Sequence, residues 1–127
     1  STIEPLTVAL ADRHLRSRRC LINVYSGPRF AQAKQAVETQ GWGGHADEME
    51  TSIMLALRPE LVAMSRAQGP SAPIRRGLFN RFDARAVNYS AGGANGDPAA
   101  ATREKGERLL RALLEDVLAE LDQLEHG

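Results

Sequence analysis

The chain has 127 residues, 43% apolar and 25% charged, which is the profile of one modest globular domain. Lys plus Arg equals Asp plus Glu at 16 each, so the formal net charge is zero, and this excludes the basic excess of a nucleic-acid-binding surface. No apolar run approaches the roughly 20 residues of a membrane span and no basic-then-apolar leader opens the chain, so the expectation is a cytoplasmic protein without membrane or nucleic-acid partners.

Cys20 is the single cysteine, which excludes an internal disulfide and a cysteine metal cluster. Its place in the apolar run Cys20-Leu21-Ile22-Asn23-Val24-Tyr25 predicts a small buried hydrophobe. Arg16, Arg18 and Arg19 read as a solvated helix end. The Ser1-Thr2 start points to cleavage from a longer chain, although removal of an initiator methionine gives the same result.

In chain order, Pro5 to Ser17 predicts a helix with Leu6, Ala9, Leu10 and Leu15 near one face and Pro5 in its first turn. Arg19 to Tyr25 reads as a short strand, apolar nearly throughout and hence covered on both faces, ended by Ser26-Gly27-Pro28. A second helix is expected over Phe30 to Thr39, with Phe30, Ala33 and Val37 inward. A glycine-rich turn, Gly41-Trp42-Gly43-Gly44, leads into a helix from Met49 to Leu57, apolar nearly all round and therefore expected to be buried. Arg58-Pro59 ends it, because a residue before proline avoids helical geometry.

From Ala67 to Pro98 the chain is rich in Gly, Pro, Asn and Arg, and only the segment 78–82 hints at a strand. A connector this long implies function or an interface. Its apolar residues Leu78, Phe79, Phe82, Val87 and Tyr89 are expected to pack on a partner and to help wall the substrate pocket. Thr102 then caps a helix running to Leu124, with an apolar stripe through Leu109, Leu110, Leu113, Leu114, Val117, Leu118, Leu121 and Leu124. Glu104 with Arg108 and Glu107 with Arg111 are the expected pairs four residues apart.

Reactive groups concentrate at His45, Asp47, Glu48 and Glu50, where the glycine-rich turn meets a helix. Histidine and carboxylates there can bind a metal or move protons, and exposed N–H groups at a helix start stabilise developing negative charge. The spacing of His45 and Glu50 does not put both on one helix face, so the loop must place the first and the helix the second. Acidic residues also collect in a first turn simply because the helix dipole favours them.

The segment Gly44-His45-Ala46-Asp47-Glu48-Met49-Glu50-Thr51-Ser52, with its apolar helix ending in Arg58-Pro59-Glu60-Leu61-Val62, resembles the signature of the creatininase family. A second stretch, Gly93-Ala94-Asn95-Gly96-Asp97-Pro98 followed by Ala101-Thr102 and Glu104-Lys105-Gly106, is similar to that family's Gly-Asp-Pro loop and the start of its last helix. The family includes creatinine amidohydrolase, a formamide hydrolase of flavin and deazaflavin synthesis, and a peptidase of mycofactocin maturation. Its first half carries a glutamate, a histidine and an aspartate as ligands of two metal ions, then a further histidine in an Asn-Gly-His-Gly-Gly-Asn motif. None of these motifs occurs here.

The resemblance implies a three-layer α/β/α sandwich with a mainly parallel sheet, of which residues 1–127 form the C-terminal part. A separate chain would then carry most of the metal ligands, and the two-chain unit would assemble as a homo-oligomer. The implied activity is hydrolysis of a non-peptide or unusual amide C–N bond in a small substrate by a metal-activated water, with two divalent ions (Zn, Mn or Fe) per complete site. His45 matches the family histidine that holds substrate and passes a proton to the leaving nitrogen. Glu50 matches the Glu-Thr-Ser glutamate and is the expected metal ligand or partner of the metal-bound water.

Trp42 lies near family tryptophans that line the substrate pocket, and it serves equally as a packed loop anchor. Asp47 and Glu48 occupy variable positions and are expected as solvated first-turn acids. Asp97 is expected to tighten the turn before Pro98, His14 to lie on a helix surface and His126 at a frayed end. Two readings from other classes stay open: a hydrolase using Ser1 as an N-terminal nucleophile after cleavage, and a subunit that only binds or scaffolds.

Overall fold

The computed structural model describes residues 21–69, 83, 85 and 90–126. The expected helix over Pro5 to Ser17, Ser1, His14, Cys20 and nearly all of the 70–89 segment with its apolar anchors lie outside the described residues. Three α-helices organise the rest: α1, Pro28–Val37; α2, Glu48–Leu57; and α3, Arg103–His126. Short 3-10 turns at Pro59–Leu61, Met64–Arg66 and Pro98–Ala100 join them. Helix α3 is the hub and packs against both α1 and α2.

The core is small. Phe30 and Ala33 of α1 meet Leu109 and Ala112 of α3, and Val37, Met49, Ile53 and Leu113 surround them. Two polar devices fix the helix packing. Helix α1 has Gly27 at its N-cap and Pro28 in its first turn, so no local side chain serves its exposed N–H groups. The Asp116 carboxylate of α3 serves them instead, accepting from Phe30 N at 2.8 Å and Arg29 N at 3.3 Å, with the Arg29 guanidinium at 3.2 Å. Between α2 and α3, the Ser52 hydroxyl donates to the Glu48 carbonyl at 2.6 Å and accepts the Thr102 N–H at 3.1 Å. Gly106 faces this contact so closely that a Cβ there would overlap the Ser52 carbonyl.

Several sequence expectations need correction. The described part of the Arg19–Tyr25 strand, residues 21–25, is irregular. Asn23 turns the backbone: its side chain accepts the Tyr25 N–H at 3.1 Å and its carbonyl accepts the Ser26 N–H at 3.0 Å, an Asx-type turn that competes with a ladder. Leu21, Val24 and Tyr25 are exposed there. Helix α2 is not buried all round; it hides Glu48 and Ser52, packs Met49 and Ile53 against the small core, and leaves Met54 and Leu57 exposed.

The inward face of α3 runs through Gly106, Leu109, Ala112 and Asp116, so Leu114, Leu118 and Leu121 of the expected stripe are exposed. Close approach at Gly106 and the anchor at Asp116 set that rotation. Glu107 pairs backwards with Arg103 at 2.8 Å rather than forwards with Arg111. The Arg58-Pro59 stop and the Thr102 cap are as expected, the latter accepting the Lys105 N–H at 3.3 Å. Among the described residues the β-structure is one isolated antiparallel bridge, His45 with Asn95.

Candidate functional site

The glycine-rich turn leaves α1 and folds across the start of α2. Gly43 has φ 148°, and a Cβ on it would stand 2.7 Å from both the Asp47 carboxylate and the Gln40 amide nitrogen. Gly96, φ 144°, approaches the same Asp47, and a Cβ on it would stand 3.1 Å from the Asp47 Cα. Both motifs therefore need glycine where they converge on Asp47. Between them the backbones pair: Asn95 N–H donates to the His45 carbonyl at 2.7 Å and Gly44 N–H donates to the Asn95 carbonyl at 3.1 Å. The sequence motifs around His45 and around Asn95 are thus one structural unit, with the His45 side chain on its exposed surface.

Ala46, next in the chain, has φ 47°, a left-handed conformation that L side chains rarely adopt. Its neighbours hold it there. The Glu50 carboxylate reaches back to accept the Ala46 N–H at 2.6 Å. Asp47 caps α2 by accepting from Met49 N at 3.0 Å and Glu50 N at 2.9 Å. Asp47-Glu48-Met49-Glu50 has the capping-box spacing, an N-cap acid followed three residues later by Glu, with the return contact made to the Ala46 N–H rather than to that of Asp47 itself. Asp47 is therefore buried rather than solvated, and its second oxygen, with both amide atoms of Gln40, is enclosed without a protein partner among the described residues.

Glu48 departs furthest from expectation. It is 1% exposed. Its carboxylate accepts from the Thr39 N–H at 2.8 Å and the Thr39 hydroxyl at 3.0 Å, and it is ion-paired with Lys105. Burial alone would raise its pKa; the Lys105 ammonium and the Thr39 hydrogen bonds outweigh burial and hold it below the usual carboxylate value. The sequence signal for this pairing was the lysine of Glu104-Lys105-Gly106, a cation three residues into a helix, where the dipole does not favour it.

His45 and Glu50 line one open cleft of about 350 Å³ with Thr51, Met54, Leu61 and Val62. It adjoins a larger cavity of about 420 Å³, with Ala46, Thr51, Val62 and Ala63 common to both walls. Trp42 is half-buried on the same loop and is not among the residues lining the cleft. A separate cavity of about 220 Å³ between residues 21–29 and the end of α3 lacks both His45 and Glu50. Asp97 tightens its turn as expected, accepting from Ala99 N at 3.1 Å, and His126 sits 3.2 Å from Asp122 on the last turn of α3. No group of three or more His, Cys, Asp or Glu converges among the described residues. His45 and Glu50 face one cleft and do not by themselves make a complete metal site.

The sequence matches the creatininase family, described as creatinine amidohydrolase, over residues 2–121. The chain belongs to the creatininase family. No curated protein sequence matches it. Among solved structures it is similar to a tryptophan-to-phenylalanine mutant of creatininase, Type II, with a TM-score of 0.67 at 23% identity, covering 95% of this chain and 50% of that one. A manganese creatininase gives a TM-score of 0.64 at 25% identity, over 91% and 49% of the two chains. A Zn–Zn form of a glutamate-to-glutamine mutant gives 0.65 at 25%, over 91% and 48%. The chain spans about half the length of these α/β proteins, and its described residues contribute helices and one bridge to that fold. No helix among the described residues is long and apolar enough to cross a membrane.

Proposed function

We propose that the chain is the second half of a creatininase-like amidohydrolase domain, an α/β/α sandwich with a mainly parallel sheet. A companion segment would supply the first half, with most of the ligands for two divalent ions. The substrate is a small molecule with a non-peptide or unusual amide C–N bond. The observation that carries this reading is the shared cleft: His45 and Glu50, the two residues singled out by the family motif, open onto one cavity of a size suited to a small molecule.

A bound metal pair of Zn, Mn or Fe would supply water activation and carbonyl polarisation, with Glu50 as this half's contribution. The chain's own residues do the rest. Water adds to the amide carbon and gives up a proton to the His45 imidazole, the C–N bond breaks, and His45 hands that proton on to the departing nitrogen. The bridge to Asn95 fixes the His45 backbone, so the ring swings only about its own side-chain bonds. Met54, Leu61 and Val62 give the cleft an apolar wall against which a small substrate would pack. Trp42 would close the substrate side once the missing half is in place. The exposed Leu114, Leu118 and Leu121 suit packing against that half or a second two-part unit in a homo-oligomer.

The test compares His45→Ala and Glu50→Gln in the complete protein, with creatinine as the first probe and metal content measured alongside turnover. His45→Ala is expected to lower turnover about a hundredfold or more and to keep its metal. Glu50→Gln is expected to lose metal and activity together. Wild-type turnover in His45→Ala would refute the reading; a metal-replete, inactive Glu50→Gln would move Glu50 from ligand to general base.

A further inference from the structure

We infer that Glu48 and Lys105 form a positioning clamp for His45, a single ion pair that closes the loop carrying His45 and anchors the loop carrying its backbone partner Asn95. The inference rests on the proposed role of His45. On one side, the Glu48 carboxylate holds the N–H and the hydroxyl of Thr39, so it ties together the two ends of the turn that contains Trp42, Gly43, Gly44 and His45. On the other side, Lys105 donates to that carboxylate and to the Ala100 carbonyl at 2.9 Å. Ala100 ends the 3-10 turn that follows Asn95 and Asp97. The two tied segments then meet at the His45–Asn95 bridge.

Burial gives the pair its leverage. An exposed pair of this kind would contribute little, since both side chains could move freely in water. Glu48 is 1% exposed and the Lys105 side chain 22%, so neither can leave its partner for solvent without moving backbone. Removing one charge strands the other where water is scarce. Neither residue lines the cleft of His45 and Glu50, so both act through His45 rather than on substrate.

The experiment uses the complete protein, creatinine as probe, and hydrogen exchange at the Asn95 amide as a readout independent of activity. Glu48→Gln keeps the side-chain size but turns an NH₂ toward donors. It is expected to cut kcat about a hundredfold, as a misplacement of about an ångström does, with KM changed far less. Asn95 exchange should rise about tenfold or more as the bridge loosens. Thr39→Val removes the hydroxyl contact and Lys105→Met both contacts of the ammonium; each should raise exchange in the same direction, whereas Lys105→Arg, which keeps the charge, should restore most of the protection. If Glu48→Gln does not fold, the other two variants decide: wild-type exchange in both overturns the clamp. A folded Glu48→Gln with wild-type exchange overturns it as well. Full activity in His45→Ala would instead sink the functional reading, and the exchange rates would then judge the clamp alone.

Discussion

Replacing Gly106 by alanine sets two ordinary effects against each other, and the structure decides which wins. Alanine is the better helix former by about 1 kcal/mol, so in an exposed helix the change would stabilise. Here the new Cβ would overlap the Ser52 carbonyl oxygen, lie 2.5 Å from its carbon and 3.0 Å from the Ala56 Cβ. The main obstacle is backbone, which cannot rotate away. Helices α2 and α3 must therefore part, which stretches the 3.1 Å bond from Thr102 N to the Ser52 hydroxyl and loosens Leu109, which is fully buried. Overpacking of this kind costs about 1–3 kcal/mol, and the strained hydrogen bond adds about 1 kcal/mol. The net expectation is a destabilisation of roughly 1–3 kcal/mol after the gain in helix propensity. Denaturant unfolding of Gly106→Ala beside Gly69→Ala, whose Cβ would meet nothing within 4 Å among the described residues, measures it. A Gly106→Ala midpoint at or above wild type, with unchanged slope, would refute the packing argument.

Leu109→Ala removes the one large apolar side chain that is completely enclosed among the described residues, and should cost about 2–5 kcal/mol in the same unfolding assay. Ala46→Gly relieves a left-handed alanine and should keep or raise stability by up to about 1 kcal/mol, whereas Ala46→Val should lower it by more than that. Acid should loosen the fold in a defined window. Burial would raise Glu48 and Asp116, but Lys105 and Thr39 in one case, and the Phe30 and Arg29 contacts in the other, hold both below their ordinary values of 4.5 and 3.8. Their stabilisation is therefore complete above pH 4.5 and lost as pH falls through the depressed folded values. Unfolding midpoints that stay flat from pH 5 to pH 3 would contradict this.

What could be read in advance follows from where the information resides. Helix α1, helix α2 with its Arg58-Pro59 stop, and the Thr102-capped α3 were legible because periodicity and end signals are local. The family motif singled out His45 and Glu50, and the structure brings them to one cleft. The fate of the other two acids was not legible. Glu48 looks like a solvated first-turn residue until Lys105, 57 positions away, is placed beside it. Asp47 carried its own signal, the Asp47-to-Glu50 capping spacing, which composition alone passes over. The strand expected at Arg19–Tyr25 failed in its described part because Asn23 offers the backbone a nearer hydrogen-bond partner than a neighbouring strand. The α3 stripe was rotated by Gly106 and Asp116, a small residue and a charge that a hydrophobic pattern does not count.

The carboxylate that starts α1 from 86 residues downstream also dictates an order of events. A helix of ten residues is marginal by itself, and this one has no local cap to help nucleate it. On the ribosome, residues 28–37 emerge long before Asp116 does, and in that interval the first turn has open N–H groups and no core to rest on. Helix α3, long and rich in good helix formers, can form as soon as it clears the exit. The N-terminal side of this region therefore waits for its C-terminal end, and a chain truncated before residue 116 would lose the start of α1 as well as the end of α3.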